Sequence, residues 1–172
     1  MEPVDSEDEL SEYLDELAPY VGWIIILFNS LEDAVSQCIR EAILRDPYQD
    51  ERMDVFLSEM MFAGKCRSLM HLYGQLIQSG GIKLKQEELV LLEKKLIECS
   101  KRRNEYAHAD WIGMKEGRYV HVKSQSKREG VTHRYRKFDL SRIQNDVDFI
   151  DQARDELDEF NERIHDQLWG PE

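Results

Sequence analysis

An all-α fold, a bundle of four to five helices with a β-hairpin appended at about 118–138, is what this 172-residue sequence predicts. Three observations lead there. Apolar residues recur at three- and four-residue intervals over several long stretches, as on one face of a helix. Nine Gly, four Pro, 41% hydrophobic and 34% charged residues suit helices better than a disordered or all-β chain. Between 118 and 138 alone the period falls to two. The length suits one well-filled core, so 1–172 is expected to be a single domain.

The first element is an acidic N-terminal helix within 1–19. Ser6 and Glu9 stand in capping-box register, and Leu10, Leu14 and Leu17 share a stripe that Pro19 is expected to end. A second helix over 20–45 carries Ile24, Leu27, Phe28, Leu31, Val35, Cys38, Ile39 and Ala42 or Ile43. A third spans 53–78 and stops at Gly80-Gly81; its methionines read as adaptable core filler and its His71 as a packing histidine. A fourth, 85–109, has Leu89, Leu92, Leu96 and Cys99 as its stripe. The segments 118–124 and 132–138 then alternate around "QSKREG" as a hairpin, with His121 and His133 placed to face each other. A last helix over 141–168 aligns Ile143, Val147, Ile150, Ala153, Leu157, Phe160 and Ile164.

Charge is unevenly spread. The net is −12, yet 101–137 holds eleven Lys and Arg against four acids, a net of +7 that leaves −19 for the rest. Such asymmetry predicts either an anion-binding surface on an acidic body or a solvated basic hairpin beside acidic helices. Cys38, Cys66 and Cys99 match no ligand or redox spacing and read as reduced core thiols of a cytoplasmic protein. The start lacks a basic n-region, and the run "VGWIIILF" is much shorter than the roughly 18 residues of a membrane span, so no secretory signal and no membrane partner are expected. No P-loop, Rossmann glycine pattern, nucleophile elbow or zinc-protease helix is present, and no metal site or cofactor is expected.

The stretch "RRNEYAHADW" at 102–111 sets polar residues where the fourth stripe should continue. With Leu89 at the origin and about 100° per residue, Leu92 lies at about 300°, Leu96 at about 340°, Arg103 at about 320°, Asn104 at about 60°, Ala107 at about 0° and His108 at about 100°. Arg103, Asn104 and His108 therefore straddle the stripe. Asn104 and His108, four apart, are placed to meet, so the amide would orient the imidazole; Arg103 offers a fork suited to phosphate. The same residues also fit a plainer role, with Arg103 reaching an acid on another helix and His108 capping the helix end.

Arg103-Asn104, three residues and then His108 resemble the R-x4-6-H signature of HEPN domains, with Asn following the Arg and a compact Ala107 before the His. The resemblance covers most of the chain in architecture and six residues in motif. It implies an α-helical domain, many of whose relatives are metal-independent endoribonucleases of toxin, phage-defence and RNA-processing systems. It further implies Arg103 and His108 as catalytic residues supported by Asn104, and a homodimer that joins two motifs across a dyad. The hairpin lies outside the minimal bundle, and its Lys123, Lys127, Arg128, Arg134 and Arg136 are candidate RNA-phosphate contacts. Asp110 stands where toxins of this kind that are modified by a partner often carry Tyr, which argues against that regulation.

Glu32 and Trp111 are candidate supports, Glu32 by orienting Arg103 or His108 and Trp111 by closing the helical end or stacking on a base. The expected function is thus RNA cleavage by 2′-OH attack, with a cognate antitoxin or regulatory protein as a further partner. Two other readings stand beside it. One is a non-catalytic HEPN-like module that binds RNA, a nucleotide or a protein. The other is an adaptor whose acidic N-terminus (Glu2, Asp5, Glu7, Asp8, Glu9, Glu12, Asp15, Glu16) mimics nucleic acid.

Overall fold

The computed structural model describes residues 6–48 and 50–170, with backbone only at Lys127; Glu2 and Asp5 of the acidic N-terminus and the Lys127 side chain lie outside the described residues. The described chain is mostly helical, with one small antiparallel sheet. The order is α1 (Glu7–Ile43), α2 (Arg52–Glu59), α3 (Phe62–Gln78), α4 (Gln86–Ala107), β1 (Asp110–Lys115), β2 (Tyr119–Lys127), β3 (Gly130–Lys137) and α5 (Leu140–Trp169). Two compact units form. A sheet-bearing unit takes the described residues of Met1–Leu27 with Lys101–Phe149, and an all-helical unit takes Phe28–Ser100 with those of Ile150–Glu172.

The first two expected helices are one. α1 starts at the Ser6 cap, where Glu9 N–H donates to Ser6 Oγ at 3.3 Å, and runs through Pro19 without ending. Proline costs a helix one backbone hydrogen bond and a steric clash. Here Pro19 is exposed, while Tyr13, Leu17, Ile24, Phe28, Leu31 and Val35 keep one buried phase on both sides of it. That burial outweighs the local penalty. By length and composition α1 is also long and apolar enough to cross a membrane, with an 18-residue window of mean hydropathy 1.2.

The third expected helix is two. Met60 (φ −90°, ψ 131°) and Met61 (φ −70°, ψ 153°) are extended and separate α2 from α3. Leu57 and Phe62 are both buried, although five residues on one unbroken helix would point them about 140° apart. The break brings both inward. His71, expected to pack, is exposed.

Within the all-helical unit Leu89, Leu92, Leu96 and Cys99 are buried as expected, as are Ile150, Ala153, Leu157, Phe160 and Ile164 of α5. Ile43, offered as the end of the α1 stripe, is exposed. All three cysteines are buried and none forms a disulfide. Burial pushes the thiols of Cys38 and Cys66 up to about 12, which keeps them protonated and inert.

In the sheet-bearing unit the expected hairpin is flanked by a third strand, giving the order β1-β2-β3, antiparallel throughout. β1 was hidden in the sequence because it is short, holds Gly113 and pairs irregularly, at Asp110↔His121 and Lys115↔Tyr119. Its start is locally bent: Gly113 N–H donates to Asp110 Oδ1 at 3.0 Å, and a side chain at 113 would collide with that carboxylate. Met114, Val120 and Val122 of the sheet, with Phe138 just after β3 and Tyr13, Leu17 and Ile143, form the buried core of this unit.

Candidate functional site

The last turns of α4 belong to the sheet-bearing unit, and their geometry follows from a mismatch of periods. Leu89, Leu92, Leu96, Cys99, Arg103 and Tyr106 form a strict seven-residue repeat, which on a helix of 3.6 residues per turn drifts by about 20° per heptad. By the end of α4 the buried stripe has moved to Tyr106, which is 1% exposed. Arg103 stays on it, half-buried. Asn104, Ala107 and His108 turn away and are exposed. The expectation that the whole trio continues the buried stripe therefore holds only for Arg103: the buried side chains of α4 lie between about 260° and 360° on that projection, with Leu89 at their edge, and Asn104 and His108 fall outside that arc.

Asn104 and His108 are joined through the backbone, His108 N–H donating to the Asn104 carbonyl at 3.1 Å. Among the described residues no side-chain hydrogen bond links them, so the expected amide-imidazole contact is replaced by the ordinary helical bond. Trp111, four residues beyond the helix end, packs as a cap. Its Nε1–H donates to the Tyr106 carbonyl at 3.0 Å, and its ring lies 5.0 Å from Phe138 and stacks over Tyr106 at 6.2 Å. Glu32 belongs to the all-helical unit, where Lys65 Nζ holds its Oε1 at 2.9 Å.

Two acids invisible to sequence reasoning organise this unit. Asp146, 6% exposed, accepts the Tyr106 hydroxyl at 2.6 Å and Arg102 Nη1 at 2.7 Å, with Arg142 Nε at 3.9 Å. Burial and the Asp146 carboxylate raise the Tyr106 phenol well above its ordinary range, so the hydroxyl remains a donor. Glu105 takes Arg134, Arg136 at 2.8 Å and Arg142 at 3.4 Å. Asp146 occupies a stripe position between Ile143 and Ile150, one residue from the expected Val147. A carboxylate on an apolar stripe was the available signal.

These pairs sort the basic residues of the hairpin. Arg134 and Arg136 alternate with His133 and Tyr135 along β3, so their side chains leave one face of the sheet and meet Glu105 on α4. Lys123 and Arg128 are exposed. The other face carries His121 and His133, whose rings lie 5.6 Å apart, as the sequence suggested. A cavity of about 780 Å³ in the all-helical unit, lined in part by Gln37, Cys38, Glu41, Lys65 and Asp158, includes no residue that the sequence marked as a candidate for catalysis or RNA binding. Among the described residues no group of three or more His, Cys, Asp or Glu is arranged to hold a metal.

The arrangement offers a half-buried arginine, an exposed imidazole one turn further on, and a sheet whose cations outnumber its acids. An imidazole can carry a proton and a guanidinium can hold a phosphate, so the elements of phosphodiester chemistry are close along the chain. No family model, no curated protein and no solved structure matches this chain.

Proposed function

We propose that this protein is a metal-independent endoribonuclease of HEPN type. The observation that carries the reading is the exposure of Asn104 and His108 one turn apart at the end of α4, beside Arg103 and leading directly into the basic sheet. In this reading His108 takes the proton of a ribose 2′-OH, the His108 of a second copy protonates the leaving 5′-oxygen, and Arg103 holds the charge that develops on phosphorus. Exposed Ala107, small and between the two, is where the helix ends of two copies approach. Lys123 and Arg128, with Lys127 and the outer edges of Arg134 and Arg136, draw the RNA backbone by charge.

The helical fold with a small sheet is compatible with this assignment, as is work in the cytoplasm under an antitoxin or other regulatory partner. A second reading, a non-catalytic RNA- or protein-binding module, draws on the lack of a side-chain partner that fixes the His108 ring among the described residues.

Cleavage of an oligoribonucleotide in excess chelator separates the two. The endoribonuclease leaves 2′,3′-cyclic phosphate ends and spares a substrate with 2′-deoxyribose at the cut site. Loss of a general base or of phosphate stabilisation costs roughly 100-fold or more. His108→Ala and Arg103→Ala are each expected to lose that much with circular dichroism unchanged, and Ala107→Glu to shift sedimentation toward monomer as activity falls. Wild-type turnover by His108→Ala would sink the assignment, and a monomeric yet fully active Ala107→Glu would sink the composite site.

A further inference from the structure

We propose that His121, Ser124 and His133, on the face of the sheet opposite Glu105, form a second general acid-base site for RNA phosphodiesters, complete within one chain. The proposal goes beyond the helix-end motif: either site can exist without the other.

The site is made by a bulge. His121 lies opposite Tyr135, while Lys123 lies opposite Arg134, so Val122 is an extra residue in β2. In a regular strand, positions three apart point to opposite faces. The inserted residue returns Ser124 to the face of His121 and sets it directly across from His133. As a result His121 Nε2 lies 2.9 Å and His133 Nδ1 2.8 Å from the single Ser124 Oγ. Ser124 and His133 are exposed and His121 half-buried, so a strand of RNA has access.

The hydrogen-bond inventory then assigns chemistry. A serine hydroxyl has one proton to give, so at least one of the two rings must be the donor in this trio. When Ser124 donates as well, one ring presents N–H and the other a lone pair toward the same point. That is the complementary pair that transesterification requires, an acid and a base in one place. RNA brings its own nucleophile in the 2′-OH. Nearby charges favour a phosphate: Lys137, two residues beyond Tyr135 and so on the same face, is exposed, as is Arg128 in the turn between β2 and β3. Asp110 of β1 stands opposite His121 and Tyr135 of β3 lies 5.5 Å from its ring, so the imidazole is flanked on both sides.

The proposed step balances as follows. Ser124 Oγ turns aside as the phosphate enters. The neutral ring takes the 2′-OH proton, O2′ bonds to phosphorus, the P–O5′ bond breaks, and the other ring, which enters the step as the imidazolium, gives its N–H proton to O5′ and leaves as a neutral imidazole. The products are a 2′,3′-cyclic phosphate and a free 5′-hydroxyl, and the rings have exchanged roles. Ser124 restores them by accepting a proton from the ring that gained one while giving its own to the ring that lost one. His121 and His133 are then catalytic residues and Ser124 a positioning and relay residue.

The test uses the full chain and an all-ribo oligonucleotide that carries a fluorophore and quencher. In the His108→Ala background, which isolates this site, His121→Asn and His133→Asn are each expected to lower the residual cleavage at least about 100-fold. RNA binding by anisotropy and the melting temperature should be unchanged. Ser124→Ala is expected to lose about tenfold, restored by added imidazole buffer as a proton carrier, which a purely structural serine would not show. Unchanged residual cleavage by either His→Asn variant in that background overturns the proposal, as does a wild-type chain inert toward the oligonucleotide. His108→Ala separates the two sites: full activity in that variant, lost on adding His121→Asn, sinks the helix-end reading alone, and a His108→Ala chain with no residual cleavage sinks this one alone.

Discussion

The two units handle charge differently. In the all-helical unit ion pairs are mostly one acid to one cation: Glu32 with Lys65, Asp54 with Arg40, Glu88 with Arg163, Glu156 with Lys95. In the sheet-bearing unit two carboxylates serve as hubs. Glu105 collects three arginines, and Asp146 two arginines and a tyrosine. One-to-one pairs at a surface neutralise and add little stability. A hub instead gathers more positive charge than it cancels, and it ties β3 and α5 to the end of α4. The difference teaches that the +7 of this segment is partly structural, and that the exposed cations outside the hubs include Lys123, Arg128 and Lys137.

The largest expected effect breaks the more buried hub. Asp146→Ala removes the acceptor of the buried Tyr106 hydroxyl together with the anion that Arg102 meets, and removal of one partner from a buried network costs about 3 kcal/mol or more. Urea unfolding should show that loss; a change under about 1 kcal/mol would mean that Asp146 is not a hub. Glu105→Gln comes next. Its side chain is 20% exposed and its arginines 33–49%, so solvent screens the interaction and about 1–2 kcal/mol is expected. The variant should also raise the salt dependence of RNA binding, since Arg134 and Arg136 are released toward phosphate. An unchanged slope would show that these arginines already face the ligand as far as they ever do. The smallest effect belongs to the other unit: Glu88→Ala, at an exposed pair with Arg163, should move the urea midpoint less than either hub variant. A loss as large as that of Asp146→Ala would erase the contrast between the units.

Reading such a chain in advance succeeds where one element buries one face. Ile24, Phe28, Leu31, Val35, the α4 leucines and the α5 stripe were legible because their spacing is itself the cause of their burial. The motif residues Arg103, Asn104 and His108 were legible as an oddity, but their placement was not. Leu89 lies at the edge of the buried stripe, whose centre is set to one side by Leu92, Cys99 and Tyr106, so two of the three fall off it. β1 was missed because a six-residue strand with an internal glycine has no period of its own to detect, and its pairing with β2 decides it. The bulge at Val122 was equally silent, since it is a mismatch of two strands and not a property of either.

What the residue order determined was local: where helices can run, where the period changes to that of strands, and which segment gathers positive charge. Each follows from steric preference and hydrophobic spacing over a few neighbouring residues. What tertiary structure decided was every outcome in which a distant contact competes with a local rule. α1 continues through Pro19 because its buried stripe outweighs one lost hydrogen bond. α2 and α3 part at Met60-Met61 because Leu57 and Phe62 both find the core. Glu105 and Asp146 become hubs because residues 29 to 44 positions away bring arginines to them. The free energy of those contacts depends on partners that no short window contains, and burial strengthens them beyond what the isolated residues would have in water.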